Sequence, residues 1–248
     1  MTIVFITGAN RGLGKGFVQK YLSRPNTTVI GSVRNVASSD AQIPQSLPKA
    51  EGSKLILVKI ENTSDTDAKD AVASLKSHGI ESLDIVIANA AWANPTAYVP
   101  VAEMKTSDLI DHVNSNSGGV IRLFQATLPL LKKGTNPRFL ALSTGLASFG
   151  MQEHIPFPSS SYASSKAVVN FLVKRIHLEN EDLIAFVVNP GGVATDGGNA
   201  AAAALGLPPL TGKVEDSVDF IVETLDNATR ADTSGKFLSF GDTPILPW

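Results

Sequence analysis

The sequence contains no cysteine, which excludes disulfides, thiolate catalysis and zinc–thiolate sites together. It has no excess of charge of either sign: 21 Lys and Arg against 23 Asp and Glu leave a formal net charge of −2. Without a basic stripe, neither nucleic acid nor an anionic membrane surface is an expected partner. No apolar run approaches the roughly 18 residues a membrane-crossing helix needs, so no such helix is expected. The opening residues Met1-Thr2-Ile3-Val4-Phe5-Ile6 are apolar but lack a basic flank and a cleavage pattern. They read as a strand rather than a signal peptide, and the expected compartment is cytoplasmic. His78, His112, His154 and His177 show no metal-ligand spacing, so no metal site is expected; His154 alone stands in a loop from which it would approach a substrate. Three Asn-x-Ser/Thr triplets, at Asn26, Asn62 and Asn227, are read as chance occurrences.

What the sequence does contain is a regular alternation. Short runs rich in Val, Ile and Leu occur at Ile3–Thr7, Thr28–Val33, Leu55–Ile60, Asp84–Ala88, Arg138–Ser143, Ile184–Val188 and Lys236–Phe240. They are continuous rather than alternating, as expected of strands covered on both faces in a parallel sheet. Helix patterns lie between them, near Gly12–Ser23, Asp65–His78, Val101–Leu131, Ser160–Asn180 and Val214–Asn227. Repeated strand–helix units predict an α/β fold, a doubly wound parallel sheet of the Rossmann type with about seven strands. No linker divides the 248 residues, so one domain is expected over 1–248. Residues 35–53, rich in Ser, Pro and Ala, read as an irregular surface loop, and residues 144–161 as another. Residues 191–212, rich in Gly, Ala and Pro, read as a mobile substrate lid. Asp65, Asp67 and Asp70 read as a helix start and its solvated face. Trp92 reads equally as pocket lining or wall filler, and Trp248 as a C-terminal anchor.

The first strand runs into Thr7-Gly8-Ala9-Asn10-Arg11-Gly12-Leu13-Gly14 and then a helix. Glycines let main chain approach a diphosphate, and the helix start supplies free N–H groups with a partial positive charge. The second strand ends in Gly31-Ser32-Val33-Arg34 with no acid, where an NAD-specific fold carries one for the ribose hydroxyls. Arg34 and Arg11 together suit the 2′-phosphate of NADPH. Further along, Tyr162 and Lys166 stand four residues apart at the start of a helix, which puts them on one face. A neighbouring ammonium favours a phenolate, and that makes a tyrosine useful for proton transfer.

The turn Thr7–Gly14, the segment Ala88-Asn89-Ala90-Ala91, the pair Tyr162 and Lys166, and Asn189-Pro190-Gly191 occur in the order and spacing of the short-chain dehydrogenase/reductases. The resemblance spans essentially the whole chain. It implies that Gly8, Asn10, Arg11, Gly12, Leu13 and Gly14 line the cofactor phosphates and that Glu61 sits beside the adenine. It implies that Asn89, with Ala90 and Ala91, fixes the sheet and approaches the ribose; Ala91 stands where the family usually has glycine. Pro190, Gly191, Val193 and Thr195 match the segment covering the nicotinamide, with the Val193 main chain and the Thr195 hydroxyl on its carboxamide. The family's helix asparagine, which holds a water linking the lysine to solvent, aligns with Asn116; Asn114 is the alternate. The segments Val193–Gly198 and Ser234–Leu238, with Pro247-Trp248, resemble small carbonyl reductases of the sniffer and C-factor types. They also resemble fungal ketoreductases such as norsolorinic acid ketoreductase.

The resemblance implies NADPH-dependent reduction of a small-molecule ketone or aldehyde, an aromatic or polyketide-type ketone among the expected substrates. Tyr162 gives the proton, Lys166 binds the ribose, and Ser143 or Thr144 holds the carbonyl oxygen. Alignment on Ala147 and Ser148 favours Thr144. A homodimer or homotetramer agrees with the family, as does a monomer. Two alternatives stand beside this reading: a dehydrogenase working mainly in the oxidative direction, and a catalytically silent NADPH-binding sensor.

Overall fold

The computed structural model describes residues 1–248. Seven strands form one parallel sheet: β1 (Thr2–Ile6), β2 (Thr27–Val33), β3 (Lys54–Lys59), β4 (Ile85–Ala88), β5 (Arg138–Leu142), β6 (Ile184–Asn189) and β7 (Phe237–Ser239). Their spatial order is β3-β2-β1-β4-β5-β6-β7. Every neighbouring pair is parallel, as the continuous apolar runs predict.

The helices are α1 (Gly12–Leu22), α2 (Ser39–Gln45), α3 (Asp67–Ser74), α4 (Thr106–His112), α5 (Gly119–Leu131), α6 (Ser160–Glu179), α7 (Asp196–Ala204) and α8 (Val214–Asp226). Successive side chains of a strand point to opposite faces. Ile3 and Phe5 therefore join one buried cluster, which includes Leu123 of α5 and Val169 of α6. Val4 and Ile6 join another, with Phe17 of α1 and Ile221 of α8. Two dry cores thus clamp the sheet, and its C-terminal edge is left to the loops. The chain reverses direction across the sheet between β1 and β4. That is where the strand ends open a crevice in such folds.

Three regions differ from the sequence reading. Within 35–53, Ser38 accepts the Ala41 N–H at 3.3 Å and starts α2, which buries Ala41 and Pro44. Within 191–212, Thr195 accepts the Gly198 N–H at 3.0 Å and starts α7. The pattern at 101–131 is not one helix: a 3-10 turn (Val101–Glu103) precedes α4, and a π-helical turn (Val113–Gly118) joins α4 to α5. The aspartates before α3 are also more than a solvated face. Asp67 accepts the Glu61 N–H at 2.8 Å, and Asp65 pairs with Arg122 at 2.8 Å. No helix is long and apolar enough to cross a membrane.

Candidate active site

The loops at the C-terminal edge enclose a cavity of about 1340 Å³. That exceeds the roughly 300–1,000 Å³ typical of a single drug-sized ligand and leaves room for two. Its floor begins at the glycine turn. Gly8 and Gly12 take φ of +68° and +52°, a left-handed conformation that costs glycine nothing. A Cβ on Gly14 would collide with the main-chain oxygen of Gly8. The turn is thus bare main chain at the start of α1, where free N–H groups collect. Leu13 and Asn10 border it. The next strand end is tied to it. The Thr7 hydroxyl accepts N–H groups from Asn89 and Ala90, both at 3.0 Å, and the Asn89 amide donates to the Thr7 carbonyl at 2.7 Å. Ala91 continues this wall.

At one end of the cavity Arg11 and Arg34 are exposed, and neither is paired with an acid of the chain. Glu61 borders the same end. These residues fit a phosphorylated dinucleotide: glycines open to a diphosphate, two free guanidiniums, and no acid at the end of β2.

At the other end lie Tyr162 and Lys166, on the first turns of α6. The Lys166 ammonium is buried and donates to the Leu142 carbonyl at 2.8 Å. Burial pushes its pKa down to about 8. Burial pushes the Tyr162 phenol well above its ordinary range, and Tyr98 adds to the rise. In the free protein, desolvation governs the phenol.

The two hydroxyls at the end of β5 face different partners. Ser143 is buried and donates to Asn170 Oδ1 at 2.5 Å. Thr144 is half-buried, and its oxygen accepts the Leu146 N–H at 3.3 Å, which leaves its own proton free. Both border the cavity, as do Pro190, Gly191, Val193 and Thr195. Asn116 does not border it. Its amide donates to the Trp92 carbonyl at 2.9 Å and to Ser165 Oγ at 3.0 Å, and its oxygen accepts the Trp92 N–H at 2.8 Å. A water at Asn116 would have to meet its main-chain carbonyl instead. The Asn114 oxygen is taken by Arg122 at 2.8 Å.

His154 is exposed and does not border the cavity, although its neighbour Ile155 does. His112 is the histidine near the site. It is fully buried, stacked on Trp92 at 4.6 Å and edge-on to Tyr162 at 6.4 Å. Trp92 itself lines the cavity. Sequence reasoning also missed Asn170, one helical turn beyond Lys166; its signal was the continued i, i+4 spacing from Tyr162. Trp248 is packed against Phe237 at 5.9 Å, and its carbonyl accepts the Gly150 N–H at 3.1 Å.

Comparison with known proteins agrees with this arrangement. A family model described as short chain dehydrogenase matches residues 2–205. Norsolorinic acid ketoreductase nor1 of Dothistroma septosporum is 39% identical over 251 residues, covering 100% of this chain and 92% of that protein. Short-chain dehydrogenase RED3 of Pyricularia oryzae is 39% identical over 248 residues, covering 100% and 98%. Among solved structures, NADPH-bound carbonyl reductase from chicken fatty liver has a TM-score of 0.84 at 26% identity, covering 100% of both chains. Carbonyl reductase Sniffer of D. melanogaster has a TM-score of 0.83 at 23% identity, covering 100% of both, and is similar in fold.

Proposed function

Because the chain belongs to the short-chain dehydrogenase/reductase family and is an oxidoreductase of the ketoreductase type, we propose that it uses NADPH to reduce an aromatic, polyketide-type ketone. The observation that carries this reading is geometric: a phenol, Tyr162, opens to the same cavity as an unpaired hydroxyl, a buried amine and two unpaired arginines.

Gly8, Gly12 and Gly14 would hold the diphosphate of the dinucleotide, and Arg11 and Arg34 its 2′-phosphate. Glu61 would border the adenine, and Asn89, Ala90 and Ala91 the ribose side. Pro190, Gly191, Val193 and Thr195 would cover the nicotinamide; the Thr195 oxygen accepts the Gly198 N–H, so its proton is left to donate. When bound, the nicotinamide supplies a hydride. The rest falls to side chains of this chain. Thr144 donates its free proton to the substrate carbonyl oxygen and holds it in place. Tyr162 delivers a proton to that oxygen as negative charge develops. Lys166 is fixed by the Leu142 carbonyl and keeps two N–H donors for the ribose and for Tyr162. Asn116 positions the Trp92 loop against α6.

The substrate end is apolar. Trp92, Ile155 and Phe157 border the cavity, as do Leu205, Leu207 and Leu210 of the 191–212 lid. Such walls suit a flat aromatic body. The test is NADPH consumption with a panel of aromatic ketones and diketones. Turnover with NADPH and little with NADH is expected. No consumption with any carbonyl would sink the reading, and equal rates would remove the phosphate role of the arginines.

A further inference from the structure

Tyr98 is a second phenol beside the first. It follows a 3-10 turn (Pro95–Ala97) capped by Asn94, whose oxygen accepts the Thr96 N–H at 3.1 Å. Asn94 in turn donates its main-chain N–H to His112 Nε2 at 3.1 Å, and His112 Nδ1 lies 2.6 Å from the Asp108 carbonyl. Both nitrogens of the histidine are therefore occupied, and it stands as a buried prop beneath the turn. Ser160 of α6 donates to the Val99 carbonyl at 3.4 Å and ties the segment from its other side.

This support holds the Tyr98 ring, only 8% exposed, with its centroid 6.2 Å from that of Tyr162 at an interplanar angle of 48°. The Tyr98 hydroxyl finds no hydrogen-bond partner in the protein, yet it is not sealed in like that of Tyr21; the residue borders the cavity. Burial pushes its pKa up to about 12, so it is a donor at any working pH. A rigidly mounted donor, unpaired in an apolar wall, is matched only when something in the cavity accepts from it.

We propose that Tyr98 is a substrate-recognition residue whose hydroxyl binds a second oxygen of the substrate, within a ring's width of the carbonyl reduced at Tyr162. The inference rests on the ketoreductase reading above. It narrows the substrate class to ketones carrying a neighbouring hydroxyl, alkoxyl or carbonyl oxygen. Sites built around a hydrogen bond discriminate against analogues lacking the partner, because the protein's own polar group is then left unmatched. His112 cannot serve this role, with both nitrogens engaged.

The experiment compares ortho-hydroxyacetophenone with acetophenone in the full chain with NADPH, for the unmodified protein and Tyr98→Phe. The readout is the ratio of the two kcat/KM values, which cancels the concentration of folded enzyme. The substitution is expected to lower that ratio about fivefold to tenfold, the size of one neutral hydrogen bond. An unchanged or raised ratio overturns the proposal; so does an equal loss on both ketones, which would make Tyr98 a partner of Tyr162 instead. Calorimetric titration of the same ketones into the NADP⁺-loaded proteins reads the same ratio as affinities. Should the unmodified protein reduce neither ketone, the ketoreductase reading is judged on the wider carbonyl panel while the binding ratio still decides on Tyr98.

Discussion

Around the glycine turn, two side chains lock the main chain: the Thr7 hydroxyl accepts the Asn89 and Ala90 N–H groups, and the Asn89 amide donates back to the Thr7 carbonyl, beside a sheet buried on both faces. Across the cleft, residues 193–210 bury only Val193 and Ala202. Beyond the hydrogen bonds of α7 and its two ends, the segment closes on itself, from Ala194 to the Gly212 carbonyl at 2.8 Å and from Leu210 to Asn199 Oδ1 at 2.9 Å. The first region has its geometry whether or not a ligand is present. The second has little apolar area to offset the entropy of ordering it, so a ligand must contribute. The contrast teaches where each kind of change should register. Alterations on the fixed side should appear in turnover and cofactor affinity, and alterations on the loosely held side in selectivity.

The sharpest way to break that comparison is at Tyr162. Tyr162→Phe keeps the ring and removes the proton donor, so turnover should fall about a thousandfold, within the range of general-acid losses. NADPH binding, followed by fluorescence, should stay within a few-fold; retention of a tenth of the activity would mean that another group supplies the proton. Next comes the end of β5. Thr144→Val should lower kcat about a hundredfold, the scale of a lost oxyanion donor. Ser143→Ala should do little to kcat but leave Asn170 Oδ1 without its donor, at a cost of about 1–3 kcal/mol in unfolding free energy. The reverse ranking in rate would transfer the role to Ser143.

A smaller effect is expected at Arg34. Arg34→Ala should weaken NADPH about tenfold and leave NADH nearly unchanged, as the loss of one charge-assisted contact predicts; parallel losses with both cofactors would place Arg34 elsewhere. The last effect is in stability and concerns Lys166. Its amine is at about 8 in the fold against an ordinary 10.5, so between those values the unfolded chain binds the extra proton. This group's contribution to stability therefore rises with pH from about 8 to 10.5 and is flat below 8. The melting temperature of the cofactor-free protein relative to Lys166→Met should move in favour of the unmodified protein between pH 7 and pH 10. A constant gap would mean the amine is not desolvated.

Much of the fixed side was legible in advance. Its strands announce themselves as unbroken Val, Ile and Leu runs, and the glycine turn and the Tyr162–Lys166 spacing are local patterns. The rest depends on contacts between distant segments. The helix α2 hides behind a Ser- and Pro-rich composition, although Ser38 is a normal cap. The helix α7 hides in an Ala and Gly run whose cap, Thr195, had been assigned to the cofactor. Asn170 gains its meaning only where β5 ends against α6. The buried His112 could not be separated from the exposed His154 by residue type, since burial is set by the loop folded over it. The rise in Tyr162 follows from desolvation, which spacing alone does not report.

The π-helical turn between α4 and α5 has a consequence for heredity. From Thr106 to Leu131 the chain is one rod, but the wide turn at Val113–Gly118 holds one residue more than an α-helical turn would. Each residue of an α-helix advances the face by about 100°. A single-codon deletion within Val113–Gly118 would thus let the rod close into ordinary helix and swing the Asn116 amide away from Trp92 and Ser165, although Asn116 itself had not been altered. Loops tolerate changes of length; here the interior of a helix is a place where chain length itself is fixed by geometry.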